Sequence, residues 1–264
     1  MYRITRRHLA VSGGAAMALS WAPIARAASD ALDDIMAAGR IRAGIFEDLP
    51  PFSFMGPDAK LQGYDIDICQ FIATDLGVRL EQVGITGQNR IPNMIQGRVD
   101  FLLAVGKSEE REKVIDFTDA YAPYYIAVIG PKSLSAKTPA DLAGNKVAVV
   151  RGTVGDTRLT AIAAPGTDIR RFETYSSVIS AFLSGQTQFM VVGSDIAATV
   201  RAQHPANEPD EKFQLMSSAN HIGINKNQER FKARLNQIIG KLHANGALNR
   251  LSEKWLLKPL PADF

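Results

Sequence analysis

The stretch Val99-Asp100-Phe101-Leu102-Leu103-Ala104-Val105 is apolar in both directions along most of its length. A strand of that kind needs cover on both faces, as in a parallel sheet between layers of helix. Its neighbours repeat the theme. Ile41–Phe46 and Val78–Val83 read as strands, and about Tyr64 to Leu76 and Ile91 to Gly97 read as helices. The longer helix places Ile68, Phe71, Ile72 and Leu76 on one face and stops at Gly77. Cys69 lies beside that face and reads as a packed small hydrophobe rather than a reactive thiol. The pattern then recurs. Lys146–Val150, Ile169–Phe172 and Gln188–Val192 are strands, with helices after Thr153 and over Tyr175–Leu183. The C-terminal part is helical, with Phe231, Leu235, Ile238 and Leu242 at helical spacing. Two tandem βα-rich units imply an α/β fold of two doubly wound lobes. Extended stretches at Tyr121–Ile129 and Ile222–Ile224 supply two crossings between them. The expected division is 28–124 and 221–264 for one lobe, and 125–220 for the other.

Residues 1–27 read as an export signal. They hold no acidic residue, and Arg3, Arg6 and Arg7 precede an apolar run that closes on Ala25-Arg26-Ala27, a small-x-small cleavage pattern. Thr5-Arg6-Arg7-His8-Leu9 resembles the twin-arginine signal. Removal of this segment takes four arginines with it and leaves 26 basic residues against 27 acidic, a net charge of −1. The basic footprint that nucleic-acid binding requires goes with the signal, so no nucleic-acid partner is expected. The mature chain is expected to be soluble and periplasmic. The lone cysteine has no intramolecular partner, which suits an oxidising compartment.

The sequence shows no catalytic engine. It has no GxxxxGK[ST] loop, no HExxH and no CxxC, and nothing resembles a nucleophile elbow. His204, His221 and His243 are far apart, so no shared metal site and no cofactor are expected. Binding is favoured over catalysis.

Several stretches, in order, carry a resemblance. They are Pro50-Pro51-Phe52-Ser53-Phe54 with Gly63-Tyr64-Asp65-Ile66-Asp67, Asn89-Arg90-Ile91-Pro92 with Gly97-Arg98-Val99-Asp100, and Glu110-Arg111-Glu112-Lys113-Val114-Ile115-Asp116-Phe117. Asp141-Leu142-Ala143-Gly144, Arg151-Gly152-Thr153 and Asn245-Gly246-Ala247-Leu248 continue the series. Across about residues 38–257 the chain resembles the solute-binding proteins of bacterial amino-acid ABC importers. The resemblance implies a type II periplasmic-binding-protein fold, the "Venus flytrap", with a ligand cleft between its lobes.

The same resemblance assigns candidate roles. Arg111 matches the arginine that clamps the ligand carboxylate, a task for which a planar guanidinium has two parallel donors. Taken alone, Glu109–Lys113 is a solvated charge run. Gly152 and Thr153 sit where a strand meets a helix, so the Thr153 hydroxyl and nearby N–H groups can receive the same carboxylate, or Thr153 serves as an N-cap. Ala104 and Gly106 stand where relatives commonly carry hydroxyls, leaving only backbone groups there. The aspartate that holds a ligand ammonium in relatives aligns near Gly193. Asp195, two residues later, and Glu47 are the alternatives, and Glu47 also reads as a solvated loop carboxylate. Phe52 is either a cleft aromatic or core. Arg90 matches a position that meets a side-chain carboxylate in members binding acidic amino acids.

The expected function is capture of an amino acid or similar small carboxylate by lobe closure, followed by docking on a membrane permease. The rival expectations are a cyclohexadienyl-dehydratase-like enzyme using Glu47, Glu173 or Asp195 as acid or base, and a periplasmic partner of an oxidoreductase or sensor.

Overall fold

The computed structural model describes residues 30–217, 219–262 and 264. The expected signal segment lies outside them. Helix α1 (Ala31–Ala38) is capped by the Asp30 side chain, which accepts from the Leu32 N–H, and leads into β1 (Arg40–Ile45). A small three-stranded sheet follows, made of β2 (Asp48–Leu49), β3 (Ser53–Met55) and β4 (Leu61–Gln62). Next come α2 (Tyr64–Leu76), β5 (Arg79–Gly84), α3 (Arg90–Ile95), β6 (Phe101–Val105), α4 (Glu109–Glu112) and β7 (Ile115–Ala122). The chain continues through β8 (Tyr125–Pro131), β9 (Lys146–Val150), α5 (Val154–Ile162), β10 (Asp168–Phe172) and α6 (Tyr175–Leu183). Then follow β11 (Phe189–Gly193), α7 (Ser194–Gln203), β12 (Pro209–Ser217) and β13 (Asn220–Asn225). Two helices, α8 (Glu229–Ala244) and α9 (Ala247–Leu251), and a π-helical turn at Ser252–Leu256 close the chain.

Two five-stranded sheets organise the molecule, ordered β5-β1-β6-β13-β7 and β10-β9-β11-β8-β12. In each, three neighbouring strands are parallel and joined by helical crossovers, and one reversed strand, β13 or β8, pairs antiparallel on both sides, separating them from an outer strand that runs their way. The antiparallel pairs arise where the chain changes lobes. It leaves the first sheet at the end of β7 and enters the second at β8, then returns from β12 to β13. A strand that arrives from the other lobe runs against its neighbours, so the sheets are mixed rather than wholly parallel.

Helix α2 buries Ile68, Cys69, Ile72 and Leu76 against the first sheet, but Phe71, expected on that face, is 41% exposed. Successive helical residues turn by about 100°, so a stripe centred on Ile68 and Ile72 leaves Phe71 on its flank. Asp65 is buried instead. Tyr121 Oη donates to its carboxylate at 2.8 Å and accepts from the Ala104 N–H at 2.8 Å, while Tyr64 Oη donates to the Tyr121 carbonyl at 2.7 Å. Hydrogen bonding makes that buried acid tolerable, yet burial still raises it to about 7 despite the Tyr121 bond that favours the carboxylate. The network lies directly beneath the C-terminal end of β6, which forms one floor of the gap between the lobes.

Candidate functional site

The Ser108 side chain caps the single turn of α4, accepting from the Arg111 N–H at 3.4 Å. Glu109, Glu110 and Glu112 stay exposed, and Arg111 alone turns inward to 8% exposure. Its guanidinium donates to the Gly106 carbonyl at 3.0 Å in its own lobe and to the Gly152 carbonyl at 3.4 Å in the other. No carboxylate among the described residues pairs with it. Burial, reinforced by the charge of Arg90, lowers Arg111 to about 9.

Arg90 opens α3 and is 3% exposed. It donates to the Ala104 carbonyl at 3.2 Å and lies 5.4 Å from the centre of the Phe46 ring. Its Nε is buried without a partner among the described residues, and burial lowers its pKa too. Ala104, one residue before the end of β6, holds the left-handed region at φ +50°, and its carbonyl meets Arg90. Asp65, Tyr121 and Ala104 thus form a hydrogen-bonded chain that ends on this arginine.

The opposite wall is the start of α5. Gly152 has φ +71°, a conformation natural to glycine. The Thr153 hydroxyl accepts from the Asp156 N–H at 3.2 Å and donates its one proton to the Val150 carbonyl at 2.8 Å, leaving no hydroxyl donor for an anion. The donors left at this helix end are the Val154 and Gly155 N–H groups, which have no acceptor among the described residues. Asp156 is taken by the Gly152 N–H and by Arg171 Nε at 2.8 Å.

The lobes touch around these groups. Glycine is required at Gly87, where an added Cβ would sit 2.2 Å from the Arg151 carbonyl oxygen across the gap. The Ser176 N–H donates to the Asp48 carboxylate at 2.9 Å, and Phe46 meets Tyr175 edge-on at 5.7 Å.

Of the candidates named from sequence, the structure brings Arg90, Ala104, Gly106, Arg111 and Thr153 to one cavity between the lobes. Gly152 abuts it through the carbonyl that receives Arg111. Three others lie elsewhere. Phe52 is fully buried, packed edge-on against Tyr64 and Tyr124 behind the wall, because the small sheet folds it inward. Asp195 is buried outside the cavity lining and pairs with Lys258 Nζ at 2.7 Å. Glu47 is exposed with its carboxylate against Gly84. Gly193 does line the cavity, and a Cβ there would lie 2.0 Å from the Tyr124 hydroxyl. The Tyr124 ring therefore fills the space that a side chain at 193 would enter. Glu173, named in the enzymatic alternative, pairs with Arg151 at 3.0 Å and does not line the cavity. Sequence reasoning missed Tyr124, Tyr175 and Asn220, which complete the walls. Each is a single residue, in a crossing, at a helix start or at a strand start, with no local pattern to mark it.

Two α/β lobes joined by paired crossings, with buried cationic groups facing the gap, define a two-lobed solute-binding protein. Among the described residues no helix is long and apolar enough to cross a membrane. The chain belongs to the bacterial extracellular solute-binding proteins, family 3, whose model matches residues 41–258. It is 27% identical over 231 residues to the L-cystine-binding protein TcyJ of Escherichia coli K12, covering 85% of each chain. It is 28% identical over 270 residues to the glutamate/aspartate import solute-binding protein of Salmonella typhimurium LT2, covering 96% of this chain and 87% of that protein. A solved structure of an arginine-binding protein mutant from T. maritima superposes with a TM-score of 0.81 at 28% identity, covering 86% of this chain and all of that one.

Proposed function

We propose that this protein is the periplasmic solute-binding component of an ABC importer and captures an amino acid or similar small carboxylate as its lobes close. The observation that carries this reading is Arg111, a buried guanidinium without a counter-ion that touches carbonyls of both lobes. A ligand carboxylate supplies the missing charge, and the Val154 and Gly155 N–H groups offer it a second seat at a helix N-terminus. One anionic group then bridges both lobes, and its differential affinity for the closed form drives closure. The closed form is the species a membrane permease would recognise. The TcyJ, glutamate/aspartate and arginine-binding relatives support amino-acid-type ligands.

Binding is favoured over turnover because, among the described residues, no Asp, Glu, His or Cys lines the cavity, and Glu47, Glu173 and Asp195, named for acid–base work, are not in its lining. The test is a thermal-shift screen of small carboxylates, amino acids included, followed by calorimetry on Arg111→Ala. A ligand that raises the melting point of the parent chain should lose about 2–5 kcal/mol of binding in the variant. Unchanged affinity in Arg111→Ala would remove the assignment.

A further inference from the structure

The nitrogens of the cavity that lack a partner share one polarity, beside the phenol hydroxyls of Tyr124 and Tyr175. Arg90 Nε and Asn220 Nδ2 are buried without partners, and the first two N–H groups of α5 have no acceptor among the described residues. All are donors. The carbonyls of Ala104, Gly106 and Gly152, which could have served a cationic ligand group, each already accept from a guanidinium. Arg90 and Arg111 bring two positive charges, and no carboxylate among the described residues lines the space. The nearby acids are committed elsewhere, Asp65 beneath Tyr121 and Asp195 on Lys258. The Tyr124 ring closes off position 193 as a route for adding one.

Such a lining is matched to an anion and mismatched to an ammonium. An ammonium brings three donors and a positive charge. Here it would find phenol oxygens but, among the described residues, no carboxylate, and it would face two like charges, those of Arg90 and Arg111. An unpaired buried charge is among the costliest arrangements a protein can hold. Two guanidiniums facing a common space can each take a carboxylate in planar, paired hydrogen bonds.

We infer that the ligand is a small dicarboxylate that lacks an α-amino group, seated between Arg90 and Arg111 with one carboxylate toward the α5 N-terminus. This rests on the carboxylate-binding reading of the cleft and narrows it.

Two matched pairs of acids test it, because each pair differs only by an α-amino group: succinate against aspartate, and glutarate against glutamate. Calorimetry on the parent protein, in buffer free of carboxylates, should show at least one dicarboxylate binding tenfold or more tightly than its amino counterpart. In Arg90→Gln that ratio should shrink toward one, and an unchanged ratio would free Arg90 from the role. Aspartate or glutamate binding as tightly as its partner overturns the inference and leaves the carboxylate cleft standing. Failure of all four acids at millimolar concentration also overturns it. The cleft reading then survives only if an amino acid such as glutamine, cystine or arginine raises the melting point in an Arg111-dependent way.

Discussion

Replacing Arg111 with methionine sets two consequences of opposite sign in one variant. In the ligand-free protein the guanidinium is a buried charge beside a second buried charge, and its fall from the ordinary arginine range to about 9 corresponds to roughly 5 kcal/mol of destabilisation. That penalty is fully present at pH 7, which lies below both the folded and unfolded values. It would relax only above about pH 9, where the folded chain releases a proton that the unfolded chain keeps. Methionine of similar length removes the charge but also leaves the Gly106 and Gly152 carbonyls without their donor. At about 1 kcal/mol for each lost bond, the net gain is on the order of 2–3 kcal/mol. For a chain of this size that raises the ligand-free melting point by roughly 5–10 °C. In the ligand-bound protein the same change leaves a desolvated carboxylate unpaired and weakens binding by about 30-fold to several thousand-fold. The assay is differential scanning calorimetry without ligand, paired with titration calorimetry. A variant that melts below the parent and binds equally well would refute the argument that Arg111 is held at a cost for the sake of an anion.

Gly87→Ala places a methyl group against the Arg151 carbonyl across the gap, so it should hold the lobes apart. Ligand affinity should fall at least tenfold, with a larger radius of gyration by small-angle scattering in the presence of ligand and a ligand-free melting point near that of the parent. Asp65→Asn keeps an acceptor for the Tyr121 hydroxyl but cannot ionise. Because burial raises Asp65 to about 7 in the folded state, the folded chain holds its proton more tightly. The parent therefore loses stability as pH rises from about 4 through 7. Melting curves should show Asp65→Asn more stable than the parent at pH 8 and nearly equal to it at pH 4. Gly193→Ala must displace the Tyr124 ring and should cost on the order of 2 kcal/mol, read as a lowered urea midpoint. Tyr124→Ala in the same chain should recover part of that loss.

The features legible in the residues alone are local and periodic. The apolar strand runs, the helix between Gly63 and Gly77, and the strand-to-helix junction at Gly152-Thr153 follow from backbone repeat and turn chemistry, which act over a few residues. The motif around Arg111 marked it as a candidate. Its burial among exposed glutamates, with no counter-ion among the described residues, came from packing, because whether a charge is paired depends on every element packed around it. Asp195 is turned to Lys258, 63 positions further along the chain, and Phe52 is drawn into the core behind Tyr124 by the fold of a small sheet. Tyr124, Tyr175 and Asn220 reach the cavity from a crossing, a helix start and a strand start that no periodicity connects. A cavity's charge and donor balance is a sum over groups distant in sequence, and such a sum exists only once the lobes have folded and met.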